Sequence, residues 1–233
     1  MTAPVRIQPS GILWNPTLAR YRDARTGRIV STAQVRRAID VSLDQYKALA
    51  RSLAQQLRAG EISLRTWEAE MRVIVKDAQL LGAASAAGGW AQLDQRSLGR
   101  AGREIRDQYA FLDNFATEVM TGDQKLDGTL ANRAIMYVEA ARQGYENERE
   151  AVERAAGYAE EKSARHASDS CEGCVREEAR GWVAIGELVP IGDRNCLTRC
   201  RCTIERRVSE SQTQPRARRG PATQRQRDRE LVG

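Results

Sequence analysis

The sequence predicts a mainly α protein: a helical bundle preceded by an extended N-terminal arm and followed by a small cysteine-rich α+β module and a disordered basic tail. Three observations predict it. Apolar residues recur at spacings of three and four between about positions 31 and 165. Aromatic residues make up 5% of a chain that is 41% hydrophobic, so the core has to be built from Leu, Ile, Val and Ala. With abundant Arg, Gln and Glu, that mixture favours helix over strand. All five cysteines fall between positions 171 and 202, where the helical period stops. A length of 233 residues suits one sizeable domain or two small ones.

Residues 1–30 hold three of the six prolines and lack a helical period, which predicts an extended arm. Within it "ARYRDARTGRIVS" reads as a small hairpin, with Tyr21 leading into the turn and Ile29 and Val30 following. Such an arm can dock on the main body or on a neighbouring subunit. The start "MTAPVRIQPSGILWNP" has a short apolar patch from Ile12 to Trp14, which excludes a secretory signal peptide. No stretch approaches the run of about 20 apolar residues that spans a bilayer. The expectation is a protein without membrane contact, kept in a reducing cytoplasm where structural disulfides are uncommon.

Residues 31–165 are expected to form the helical body. Ser31 with Gln34 three residues on makes a capping box, and Val35, Ile39, Leu43, Tyr46, Leu49, Leu53 and Leu57 form one stripe before Gly60. A second helix starts at Ser63 and places Leu64, Trp67, Met71, Ile74 or Val75, Ala78 and Leu81 on one side, ending at Gly88 and Gly89. The short link predicts an antiparallel helical hairpin. "GAASAAGG" is read as close helix packing, because no strand precedes it and no Lys-Ser/Thr follows, as a phosphate-cradling loop requires. A third pattern runs from Leu98 through Ile105, Tyr109, Leu112, Phe115 and Val119 to Gly122. A fourth is expected from Thr129 to about Lys162, carrying Leu130, Ala134, Tyr137, Val138, Ala141, Tyr145 and Val152, with its charged later half projecting into solvent.

Residues 166–208 carry the cysteines as Cys171-x2-Cys174, then 21 residues, then Cys196-x3-Cys200-x-Cys202. A Cys-x-x-Cys turn can aim two thiolates at one ion, and a second cluster about 20 residues later is the usual return of a zinc ribbon or knuckle. Zinc takes four ligands in a tetrahedron, and thiolates hold it well. The module is therefore expected to be zinc-ribbon-like with one structural Zn2+, and "GWVAIGELVPIGD" suits a short hairpin beneath the metal. The spacing favours Cys171, Cys174, Cys196 and Cys200 as ligands with Cys202 packed as a small apolar residue. Whether Cys202 takes the place of Cys196 or Cys200 stays open. Cys200, Cys202 and Ile204 would share one face of a strand. His166 stands at a helix end in a charged stretch and is expected to be an ordinary surface residue, with replacement of one thiolate as the alternative. Disulfide pairing is disfavoured by the compartment. A nucleophilic cysteine lacks a nearby His with an orienting Asn or Asp, and acidic pairs such as Glu160 and Glu161 or Glu177 and Glu178 read as solvated helix faces. No catalytic constellation emerges, so the chain is not expected to be an enzyme.

Residues 209–233 hold six Arg against three acids and little aliphatic surface, which predicts a disordered basic tail. Together with Arg194, Arg199, Arg201, Arg206 and Arg207 it makes a basic end able to contact DNA backbone without reading sequence, with Trp182 as a candidate stacking surface.

The segments "RAGEISLRTWEAEMRVIVKDAQLLGAASAAGGW", "IRDQYAFLDNFATEV" and "CEGCVREEARGWVAIGELVPIGDRNCLTRCRCTI" together resemble the minor head, or head morphogenesis, proteins of tailed phages, the Mu F-like group. The resemblance covers roughly residues 17 to 205, and the cysteine window is its most specific part. Many members of that group have a histidine three residues before Cys-Arg-Cys. Here Cys196 stands four before it, in "NCLTRCRC", which keeps a soft ligand near the same place and leaves the ligand register open. The resemblance implies a virion component that acts near the portal during capsid assembly in the bacterial cytoplasm, with portal or other head proteins as partners. The alternative is a zinc-ribbon nucleic-acid-binding module.

Overall fold

The computed structural model of the chain describes residues 11–166 and 169–209. Residues 1–10 of the expected arm and 210–233 of the expected tail lie outside the described residues. The protein is mainly helical with two small antiparallel sheets.

The arm contains the expected hairpin and adds a strand to it. Strands β1 (Ile12–Asn15), β2 (Arg20–Asp23) and β3 (Ile29–Val30) form an antiparallel sheet in the order β1-β2-β3. Asp23 closes the β2–β3 turn by accepting from the amides of Arg25 (3.0 Å) and Thr26 (2.7 Å). The sheet docks on the body of the same chain. Tyr21 is buried, donates its hydroxyl to the Ala86 carbonyl at 2.8 Å and meets Trp14 edge-on at 4.9 Å.

Helix α1 (Thr32–Arg58) opens with the full Ser31–Gln34 capping box. Its stripe drifts from the expected one. Leu49 is half exposed and Ala50 is buried in its place, because 3.6 residues per turn carry a long 3-4 repeat away from any fixed face. Helix α2 (Leu64–Ala87) is capped by Ser63, ends in the left-handed Gly88 and buries the predicted Trp67, Met71, Ile74, Val75, Ala78 and Leu81. Helix α3 (Gln95–Thr121) starts from Asp94, and its Leu98 is exposed where the pattern put it inside. The neighbouring Ser97 turns inward instead and donates to Glu148 at 2.7 Å.

The fourth predicted helix is two. Helix α4 (Gly128–Glu139) and helix α5 (Ala141–Ala155) meet at Ala140, and the chain leaves the helix through Gly157, whose φ of 89° suits glycine. The expected extension to Lys162 fails because residues 160–164 pair with a strand 39 to 47 positions later. The expectation that the charged half projects into solvent fails as well. Glu146, Glu148, Arg149 and Glu153 are buried, each in contact with an opposite charge: Arg149 with Glu146 and Glu153, and Glu148 with Arg100 at 2.7 Å.

One apolar core joins α1 to α5, with Trp67 and Phe115 edge to face at 5.5 Å near its middle. The small residues of "GAASAAGG" pack as predicted. A Cβ on Gly82 would lie 2.5 Å from the Ala141 carbonyl oxygen, a backbone atom that cannot swing aside. Gly82→Ala is therefore expected to cost about 1–3 kcal/mol by prising α2 from α5. Urea denaturation at constant m-value checks this.

Candidate metal centre

The cysteine module is built around a second sheet. Its central strand is β4 (Glu160–Ala164), flanked by β5 (Val183–Ala184) and β6 (Thr203–Arg207), all antiparallel. Register is set by charge. Opposed pairs Glu160/Arg207, Glu161/Arg206 and Lys162/Glu205 form ion pairs at 2.7, 3.2 and 3.1 Å. Slipping by one residue would break all three and turn the buried face outward. The segment "GWVAIGELVPIGD" is not the expected hairpin, since Val183 and Ala184 pair with β4 and the remainder is a loop. That loop does lie under the cysteines, with Leu188 and Ile191 in one cluster with Cys174, Cys200, Cys202 and Ile204.

Helix α6 (Glu172–Ala179) brings in the first pair. Cys171 is its N-cap and Cys174 lies in its first turn, so both thiols sit where the helix dipole favours negative charge. Gly173 between them allows the close approach of the second arm, because a Cβ there would stand 2.5 Å from the Asn195 side-chain oxygen, next to Cys196. A single 3-10 turn, Leu197–Arg199, follows, and Leu197 takes a positive φ of 48° that swings Cys196 and Cys200 toward the same point. Arg36 of α1 then donates to the carbonyl of Cys202 and, at 3.4 Å, to that of Cys200, which ties the second arm to the helical body.

All five predicted cysteines come together. Cys171, Cys174 and Cys196 form one group whose sulfurs lie within 4.8 Å of one another, and Cys174, Cys200 and Cys202 form another. Cys174 Sγ is 3.5 Å from that of Cys196 and 3.6 Å from that of Cys200. None of the five is in a disulfide. A metal–sulfur bond of about 2.3 Å in a tetrahedron gives a sulfur–sulfur edge of about 3.8 Å, so these thiols can hold a metal ion. Cys202 shares the second group and is at the same time buried in the apolar cluster with Leu188, Ile191 and Ile204. His166 is exposed, 2.8 Å from the Thr203 hydroxyl and outside both groups.

Burial and the neighbouring thiols push Cys196 and Cys202 well above the usual thiol range, so the cluster disfavours ionisation unless a cation enters it. Arg194 supplies part of that compensation. It is 2% exposed, donates to Val189 O and Ser163 Oγ at 2.8 Å each, and puts Nη1 4.0 Å from Cys174 Sγ.

A search of known protein families, curated proteins and solved structures returns no match for the chain. The site therefore has to be interpreted from its own geometry.

Several residues that sequence reasoning assigned to the surface hold the module together. Glu161 is buried and accepts from the amides of Gly186 (2.8 Å) and Leu188 (3.3 Å) as well as from Arg206. Glu177 is buried and accepts from the Val189 amide at 3.0 Å. Of the five arginines assigned to a DNA-facing end, Arg194 is buried, the side chain of Arg206 is enclosed, and Arg207 pairs with Glu160 while lying 4.2 Å over the Trp182 ring. Lys162 lies 5.2 Å from the same ring, so Trp182 is already stacked against two cations. Arg199 and Arg201 are the exposed members of that set among the described residues. The complementary runs "EEK" and "ERR" are the signal that would have found the β4–β6 pair.

Among the described residues, no helix is long and apolar enough to cross a membrane.

Proposed function

We propose that the protein is a structural component of a tailed-phage head, a minor head or head morphogenesis protein that docks near the portal during capsid assembly. In this reading the helices form a bundle that supplies the docking surface, and a zinc-ribbon-like module clamped by one structural Zn2+ fixes the C-terminal lobe. The observation that carries it is the convergence of five thiols around Cys174, all in one module wired to α1 and α5. The resemblance of the cysteine window to the Mu F-like group supplies the biological setting. Four or more thiolates close a zinc site, which leaves no coordination position for a catalytic water and gives the metal a structural task. The burial of Arg194, the enclosure of the Arg206 side chain and the covering of Trp182 favour this reading over a nucleic-acid-binding module. Contact with packaged DNA would fall to Arg199, Arg201 and the basic tail.

Two measurements test it. Metal analysis of protein purified under reducing conditions is expected to give one zinc per chain. Mass spectrometry of purified particles is expected to find the chain in the virion; its absence from particles would overturn the assembly role while leaving the zinc site standing.

A further inference from the structure

Zinc needs four ligands, and this site offers five. Among the described residues Cys174 alone belongs to both thiol groups, one with Cys171 and Cys196, the other with Cys200 and Cys202. An ion bound by either group completes its tetrahedron with one thiol from the other. Every such quartet contains Cys174 and leaves out one of the remaining four. On the zinc reading above, we propose that Cys174 is the fixed hub of the site and that Cys171, Cys196, Cys200 and Cys202 supply the other three ligands interchangeably, the spare thiol acting as a standby ligand.

Three further features point the same way. Cys174 is the most enclosed of the five at 1% exposure and is placed by a helix first turn, which gives it the least freedom to move. Arg194 is buried and holds Nη1 4.0 Å from Cys174 Sγ while donating to Val189 O and Ser163 Oγ, which fixes a cation beside this cysteine. The peripheral thiols ride on adjustable chain. Cys171 and Cys196 are half-buried at the rim, and Cys196 and Cys200 flank a short 3-10 turn that already carries a positive φ. Small rotations there can exchange one sulfur for another while the hub stays in place. The consequence is tolerance: losing a peripheral cysteine leaves a complete set of four thiols around Cys174, whereas losing the hub removes the one thiol common to both groups.

The test uses the full chain and its five single Cys→Ser variants, purified under reducing conditions. Bound zinc is counted, affinity is measured against a chromophoric chelator, and the cobalt-substituted forms are examined by absorption, which reports the number of coordinating thiolates. Cys171→Ser, Cys196→Ser, Cys200→Ser and Cys202→Ser are each expected to keep one zinc and a four-thiolate cobalt spectrum. Each should lose no more than the roughly 10- to 100-fold in affinity seen when a metal site's supporting contacts are disturbed. Cys174→Ser is expected to lose the ion and that spectrum although it too retains four cysteines. A peripheral variant that loses zinc or gives a three-thiolate spectrum would show a fixed quartet and overturn the hub, independently of whether Cys174→Ser folds. Wild-type protein without zinc would overturn the zinc reading itself.

Discussion

Stripping the proposed zinc under reducing conditions is expected to unfold residues 160–207 and to leave the α1–α5 core folded. The module's own apolar cluster is small, and half of its six buried members are cysteines, so burial alone contributes little. Without the cation, buried thiols crowd one another and the arms carrying Cys171 and Cys196 are left to hydrogen bonds such as Glu177 to the Val189 amide and Arg194 to Ser163. Structural zinc in small domains contributes up to about 10 kcal/mol or more to folding, more than the ion pairs of β4 and β6 can replace. Hydrogen exchange should show the amides of β6 and α6 losing protection while those of α1 and α2 keep theirs. Because thiolates bind and thiols do not, the same loss should set in at lower chelator concentration as the pH falls. Retained protection across 200–207 in metal-free protein would mean that packing and charge alone hold the lobe.

Arg206→Met is expected to cost about 3–5 kcal/mol. The guanidinium is 1% exposed and faces Glu153 and Glu161 at 3.2 Å, Glu150 at 3.5 Å and Glu146 at 3.9 Å. Its removal leaves these carboxylates facing one another in a poorly solvated site, with Arg149 as the remaining cation beside Glu146 and Glu153. Arg207→Met is the control, since Arg207 pairs with Glu160 on the solvent side of the same sheet, where an ion pair contributes under about 1 kcal/mol. Equal losses for the two substitutions, measured by chemical denaturation, would remove the buried network from the account.

The network also explains how the two parts of the molecule are joined. Arg149 of α5 donates to the carbonyl of Ile204, Arg36 of α1 to that of Cys202, and Arg206 reaches from β6 into α5. The segment from Cys200 through β6 is therefore clamped on one side by the thiol cluster and on the other by guanidinium groups of the helical body.

Local chemistry alone determined the helix starts at Ser31 and Ser63, the stops at Gly88 and Gly122, the hairpin after Tyr21, and the gathering of Cys171, Cys174, Cys196, Cys200 and Cys202 into one site. Each of these depends on residues a few positions apart, or on thiol chemistry that admits few partners. The tertiary structure decided the rest: that Glu160–Ala164 is a strand, that α4 and α5 part at Ala140, that Leu49 and Leu98 face out, and that Glu161, Arg194 and the side chain of Arg206 lie inside. A charged side chain reads as solvated until its partner is known. Here the charged partners of Glu161 and Arg206 stand 45 to 60 residues away, where periodicity carries no information and the fold alone brings opposite charges together.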